Sequence, residues 1–180
     1  PFWVQQVVFL MSLIADYGFV LLILACAFGF FMAWGVGAND VANAMGTSVG
    51  SRALTIKQAI IVAMIFEFCG AYLAGGEVTE TIKNGIVDAE VIPPDLMVLG
   101  MMSALLAAGT WLLIATMKGW PVSTTHSIIG AVIGFAAVGV STDAVHWEAI
   151  GPIVASWVVT PMLSGIVAFG LFMSVQKLII

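Results

Sequence analysis

The apolar runs in this sequence are continuous, and each is about as long as a membrane is thick. They extend over residues 17–38, 58–76, 96–117 and 150–175. A helix needs about 20 apolar residues to cross a hydrocarbon core of about 30 Å, whereas a barrel strand alternates over about ten. Because lipid offers no partner to backbone polar groups, the spans are predicted to be helices.

The composition agrees with a membrane location. Hydrophobic residues make up 62% of the chain and charged residues 8%, and the mean hydropathy is +1.14, which the surface of a soluble domain would not tolerate. The net charge of −5 carries little information about partners, because the acidic residues lie mostly in the connecting segments. A nucleic-acid partner is not expected of such a membrane protein. Cys26 and Cys69 lie inside predicted spans without CxxC spacing and are interpreted as packing residues.

A further apolar segment, over residues 128–140, is too short to cross a membrane alone. It follows a polar interruption at residues 118–127. Either residues 121–140 cross as one helix, or part of this region is re-entrant. The predicted fold is an all-α polytopic membrane protein of about five spans with broken or re-entrant helices, arranged as a single membrane domain over residues 1–180.

Polar residues interrupt the end of the first span in the stretch GANDVANA, residues 37–44. A continuous helix over residues 18–49 would reach roughly 48 Å, so a break is predicted here. Asp40 in a span would cost roughly 2.5–3.5 kcal/mol and needs a partner such as a cation, for which Asn39 and Asn43 supply further oxygens. The alternative is that the span ends at Ala38 and Asp40 caps a following helix.

Glu67 lies at the centre of the second span among apolar and small residues. A carboxyl group in such a dry place titrates easily, so a role in binding a proton or a cation is predicted. The alternative is a protonated glutamic acid that bonds to a neighbouring helix.

Four hydroxyls and an imidazole follow Pro121, in the order Ser123, Thr124, Thr125, His126 and Ser127. If Pro121 occupies the first turn of a half-helix, the free backbone N–H groups, the helix dipole and the hydroxyls together form an anion cradle suited to phosphate or sulfate. The alternative is that these hydroxyls bond back to carbonyl groups one turn earlier.

The basic residues predict an orientation. Arg52 and Lys57 follow the first span, Lys118 the third and Lys177 the last, while the intervening connections are mostly acidic. By the positive-inside rule the N-terminus lies outside and the C-terminus inside. Five crossings is an odd number, and a duplicated unit with an odd number of crossings inserts in the opposite orientation, as in inverted-repeat transporters.

The sequence resembles the inorganic phosphate transporter family, the sodium/phosphate symporter group. The features that carry the resemblance are GANDVANA at residues 37–44, GWPVSTTHS at 119–127 and Glu67. The resemblance implies two repeats in inverted orientation, of which this chain is similar to the first, a homodimer, and transport of phosphate with Na⁺ or H⁺. It also implies that Asn39, Asp40 and Asn43 lie at the cation and phosphate site. Ser123, Thr124 and Thr125 would contact phosphate, and Glu67 would correspond to the membrane-embedded glutamate that transport requires.

The function predicted from the sequence is secondary transport of inorganic phosphate, coupled to Na⁺ or H⁺ by alternating access. No enzyme activity and no cofactor beyond the coupling ion are expected, and the plasma or inner membrane is the expected location. Two other classes remain open at this point. An anion channel would need no coupling ion, and a membrane scaffold or receptor would leave Asp40 and Glu67 unexplained.

Overall fold

The computed structural model describes residues 2–88 and 91–179, with side chains from residue 15 onward except 83 and 84, and helices dominate it. The helices are α1 (Phe2–Gly50), α2 (Ile56–Gly85), α3 (Pro94–Lys118), α4 (Thr124–Gly139) and α5 (Trp147–Ile179), with a 3₁₀ turn at Thr142–Ala144. The chain forms two compact units, Pro1–Val145 and His146–Ile180. The prediction of a single membrane domain stays a prediction.

Within the part of the chain that the structure describes, four helical segments are long and apolar enough to cross a membrane, namely Ala15–Gly50, Ile56–Ile82, Pro94–Lys118 and Trp147–Ile179. The fifth apolar helix, α4, has 16 residues, so its length of about 24 Å is shorter than a hydrocarbon core of about 30 Å. The described residues contain no β-strand, only one isolated bridge between Val87 and Val145. The prediction of an all-α polytopic membrane protein is confirmed.

The predicted break of the first helix at residues 37–44 is wrong, because α1 continues without interruption to Gly50. The segment contains no proline, and the polar side chains of GANDVANA find partners on a neighbouring segment, so the backbone has no need to open. The other predicted interruption, at residues 118–127, is present as the segment between α3 and α4. α2 also extends beyond the predicted span of residues 58–76, to Gly85.

The first unit is held together by close packing of α1 against α3. A Cβ atom built on Gly35 would lie 3.0 Å from Leu112 Cβ, and one on Gly109 would lie 2.8 Å from Phe31 Cδ1. Glycine at these two positions therefore sets how closely the helices approach. The core at this contact consists of Met32, Ala108 and Leu112, covered by Val36, Leu105, Val122, Ile128 and Ala131.

The ends of α2 and α4 lie together at one end of this unit. The backbone N–H of Asp88 donates to the carbonyl of Ala144 at 3.0 Å, and Val87 and Val145 form an antiparallel bridge. Ile86, Val87 and Ala144 are at most 1% exposed. The connections after α2 and after α4 are therefore on the same side of the unit.

The second unit consists mainly of α5. Pro152 and Pro161 lie inside this helix, with Glu148 in the first turn and Lys177 in the last turn. An acid near the start and a base near the end both interact favourably with the helix dipole.

Candidate functional site

The segment between α3 and α4, residues 119–123, begins with a glycine in the left-handed conformation. Gly119 has a φ of 68° and its N–H donates to carbonyl groups in the last turn of α3, and Trp120 N–H donates to the carbonyl of Ala115 at 2.8 Å. This φ is strained for other residues, and Pro121 has no N–H with which to continue the helix. The local sequence therefore ends α3 and starts a short linker, which we call the 119–123 linker.

Asn39 joins α1 to this linker. Its side chain is 5% exposed, and Nδ2 donates to the carbonyl oxygen of Trp120 at 3.0 Å. Oδ1 accepts two hydrogen bonds, from Val122 N–H at 3.3 Å and from Asn43 Nδ2 at 3.3 Å. The buried amide is thus bonded through both its oxygen and its nitrogen, as a buried polar group requires.

Asp40 contacts the start of α4. Thr124 Oγ1 donates to Asp40 Oδ2 at 2.8 Å, and Thr124 is the first residue of that helix. The carboxylate of Asp40, which is half-buried, therefore lies near a helix N-terminus, where unbonded N–H groups and the dipole favour negative charge. Asp40 thus accepts the hydrogen bond of the Thr124 hydroxyl, which the sequence predicts to bind an oxyanion.

The other hydroxyls of the cluster have different roles. Ser123 is the N-cap of α4, and its Oγ accepts from His126 N–H at 3.3 Å. Ser127 Oγ donates to the carbonyl of Ser123 at 2.7 Å, so the back-bonding alternative applies to Ser127. Thr125 is exposed in the first turn, and its hydroxyl bonds to none of the residues that the structure describes.

A cleft of about 240 Å³ opens between α1 and the linker, with room for a small ion and water. Thr116 contributes a buried hydroxyl that has no hydrogen-bond partner in the described part of the chain. Asn43 is exposed at this cleft, and its Oδ1 accepts no hydrogen bond from any residue that the structure describes. The lining residues are Ala38, Asn39, Ala42, Asn43, Thr116, Gly119, Trp120 and Pro121.

The oxygen atoms available here suit a hard cation. In residues 2–88 and 91–179 no group of three or more His, Cys, Asp or Glu residues is placed to hold a metal ion. The site instead offers the carboxylate of Asp40 together with amide and hydroxyl oxygens. These are oxygen ligands, which hard cations prefer to nitrogen or sulfur.

The structure brings six of the seven predicted site residues to the contact between α1 and the start of α4. Asp40 bonds to Thr124, and Asn39 bonds to the linker that precedes it. Asn43 bonds to Asn39, and Ser123 and Thr125 flank Thr124 in the chain. Glu67 is not among them. It is exposed on α2, and no hydrogen bond or ion pair links it to any residue the structure describes.

Sequence reasoning missed three contributors to this site. The carbonyl of Trp120 and the N–H of Val122 are backbone groups, whose partners a motif of side chains does not reveal. Thr116 lies within a predicted apolar span, where a single hydroxyl does not indicate a polar site. Its position one turn before Gly119-Trp120-Pro121 is the sequence feature that could have identified it.

An interrupted pair of helices with polar groups at the interruption, inside a helical membrane protein, is how secondary transporters build sites for ions and anions. The fold and the site are therefore of the kind found in membrane transporters. The model of the Phosphate transporter family matches residues 36–180, which is most of the chain. The protein belongs to the phosphate transporter family, and the resemblance in the sequence is confirmed.

Relatives of known name agree with this assignment. A Haemophilus influenzae protein named "Putative phosphate permease" is 58% identical over 94% of this chain and 41% of its own length. Inorganic phosphate transporter 2-1 of Arabidopsis thaliana is 49% identical over 84% of this chain and 26% of its own length. A solved structure, described as "The sodium-dependent phosphate transporter", is 48% identical, with a TM-score of 0.83 over 88% of this chain and 40% of its own. The chain therefore spans well under half the length of each.

Proposed function

We propose that the protein moves inorganic phosphate across a membrane by secondary transport coupled to Na⁺ or H⁺, with alternating access, and that it catalyses no chemical reaction. The observation that carries the proposal is the hydrogen bond from Thr124 Oγ1 to Asp40 Oδ2 at 2.8 Å. It connects the acidic motif on α1 to the hydroxyl motif at the start of α4. A group suited to a cation thus shares a hydrogen bond with a group suited to phosphate.

This shared hydrogen bond suggests how coupling works. Without a cation, the Asp40 carboxylate accepts the hydrogen bond of the Thr124 hydroxyl and keeps a negative charge at the start of α4. A phosphate charge about 4 Å from that carboxylate would cost roughly 4 kcal/mol at an effective dielectric constant of 20. A cation at Asp40 offsets this repulsion and frees the hydroxyl, so phosphate binds after the cation.

The cation in this proposal binds Asp40 and the free Oδ1 of Asn43, and Glu67 takes part in coupling. Phosphate binds the hydroxyls of Ser123, Thr124 and Thr125 and the free N–H groups at the start of α4, where a helix N-terminus accepts anions. Asn43, at the edge of the cleft, is also within the phosphate site. Na⁺ is supported by the solved relative, which is described as sodium-dependent, and H⁺ remains the other coupling ion of the proposal.

The complete transporter in this proposal contains a second, inverted copy of this unit and forms a homodimer in the inner or plasma membrane. Support comes from the resemblance and from the length of the relatives, of which the chain spans 41% in one case and 26% in another. The second copy would supply matching ligands and the moving partner that alternating access requires.

The test of the proposal is uptake of labelled phosphate into liposomes that contain the intact protein. Uptake is expected to require an inward Na⁺ or H⁺ gradient and to stop when both gradients are removed. Empty liposomes serve as the control. Phosphate entry that persists without either gradient would favour an anion channel and reject the symport proposal.

Cysteine labelling tests the proposed orientation, in which the N-terminus is outside. Cys26 and Cys69, which are exposed in this structure, are first replaced by alanine. An impermeant thiol reagent added outside should then label cysteine at Glu80 or Asp143, on the side where α2 and α4 end, but not at Arg52. Labelling of position 52 from outside would reverse the orientation.

Glu67→Gln tests the role of the carboxylate on α2. Glutamine keeps the size and hydrogen-bonding ability of the side chain but binds no proton and neutralises no cation. Uptake by the intact protein is therefore expected to fall much further than equilibrium phosphate binding. Glu80→Gln, on the exposed surface of the same helix, provides the matched control. Equal losses of uptake and binding in Glu67→Gln would assign Glu67 to the structure of the site.

A further inference from the structure

The hydrogen bonds of Asn39 leave its side chain little capacity to bind an ion. Its Oδ1 accepts from Val122 N–H and from Asn43 Nδ2, and an amide oxygen has two lone pairs. Its Nδ2 donates to the carbonyl of Trp120. A cation could reach Oδ1 only if at least one of these bonds broke inside a site where the side chain is 5% exposed.

We propose that Asn39 is a positioning residue, which fixes the 119–123 linker so that the hydroxyls at the start of α4 face Asp40, and that it is not a ligand of the cation. The part of this proposal that concerns phosphate affinity rests on the proposed function. The part that concerns the linker rests on the contacts alone.

The geometry of the 119–123 linker explains how the single side chain of Asn39 can hold the linker against α1. Groups at alternate residues face α1, namely the carbonyl of Trp120, the N–H of Val122 and the hydroxyl of Thr124. This spacing of two is that of an extended chain, and Ser123 has extended dihedral angles, φ −83° and ψ 121°. Asn39 bonds the first two groups and its neighbour in sequence, Asp40, bonds the third.

Packing strengthens this arrangement. The side chain of Val122 covers the core formed by Met32, Ala108 and Leu112, so the Val122 N–H is held between a packed side chain and the Asn39 amide. Ser123, the next residue, caps α4. A shift of the linker would therefore move the whole N-terminus of α4, together with the hydroxyl and N–H donors that it contributes to the proposed phosphate site.

The experiment measures how often the linker leaves α1. Cysteine is placed at Val122 in an intact protein whose Cys26 and Cys69 are replaced by alanine, and its reaction with a small water-soluble thiol reagent is timed. Asn39→Ala removes both hydrogen bonds between this side chain and the linker. If each bond makes a net contribution of about 0.5–1.5 kcal/mol, labelling should accelerate roughly 5- to 150-fold. Asn39→Ser is too short to reach both linker groups and carries the same expectation.

Asn43→Ala is the matched control for labelling, since it removes a bond to the same Oδ1 but none to the linker. Its labelling rate at position 122 should stay within about twofold of the parent, because neither linker bond is lost. Equal rates in the parent, Asn39→Ala and Asn39→Ser would overturn the proposal.

Ion binding separates a positioning residue from a ligand. Binding of ²²Na⁺ in the absence of phosphate should change little in Asn39→Ala, while the phosphate concentration for half-maximal uptake rises about tenfold, in line with a displaced hydroxyl donor. Loss of Na⁺ binding with unchanged labelling would make Asn39 a ligand and overturn the proposal. If the parent protein shows no gradient-driven uptake, the proposed function fails, and the labelling rates still decide the role of Asn39.

Discussion

Asp40→Asn is expected to abolish cation-coupled phosphate uptake while the protein still folds. The asparagine Oδ1 can accept the hydrogen bond that Asp40 Oδ2 accepts from Thr124 Oγ1 at 2.8 Å, so the contact between α1 and α4 is preserved. The charge that would hold the cation is lost. For a half-buried carboxylate with a cation about 4 Å away, the lost attraction is roughly 4 kcal/mol at an effective dielectric constant of 20, which corresponds to about 1000-fold in cation affinity. Initial rates of labelled phosphate uptake into liposomes, with and without the cation gradient, measure the effect.

The control for Asp40→Asn is Asp143→Asn, which makes the same chemical change on an exposed 3₁₀ turn. Uptake by this variant should equal that of the parent. Comparable amounts of monodisperse protein from both variants would show that folding is unaffected. Gradient-dependent uptake that survives in Asp40→Asn would restrict Asp40 to a capping role at the start of α4.

Thr124→Val is expected to raise the phosphate concentration for half-maximal uptake by at least about tenfold, because a hydrogen bond to a charged group contributes about 1.5–3 kcal/mol. Valine keeps the branched shape of threonine and removes only the hydroxyl. In this structure that hydroxyl donates to Asp40. The substitution therefore also removes the hydrogen bond that, in the proposed mechanism, breaks when a cation binds Asp40. Uptake rates over a range of phosphate concentrations at a saturating cation concentration measure the change.

Ser127→Ala is the comparison for Thr124→Val. The Ser127 hydroxyl donates to the carbonyl of Ser123 at 2.7 Å within the first turn of α4, and its loss should change half-maximal uptake far less. Small effects of similar size in the two variants would remove the hydroxyl cluster from the phosphate site. The choice of substrate would then depend on family membership alone.

Much of the fold and the location of the site follow from local sequence. Long apolar runs leave only helices as membrane spans, since backbone groups in lipid must be bonded within the segment. Gly119 and Pro121 end one helix and begin the approach to the next, a local effect of backbone conformation. Asp40 and the hydroxyls after Pro121 were conspicuous because polar groups in apolar segments need partners.

Only the tertiary structure decided how these groups are paired. The sequence suggested a broken first helix, but α1 is continuous because Asn39 and Asp40 bond to the linker and to α4, partners more than 80 residues away in the chain. For the same reason Asn39, predicted as a cation ligand, bonds to backbone groups of Trp120 and Val122, which no side-chain motif reveals. Glu67 was conspicuous in the sequence and yet stands apart from the site, because the face that a helix presents to its neighbours depends on packing between distant segments. The sequence therefore determined which side chains needed partners, and the packing of α1 against α3 and α4 determined which partners they have.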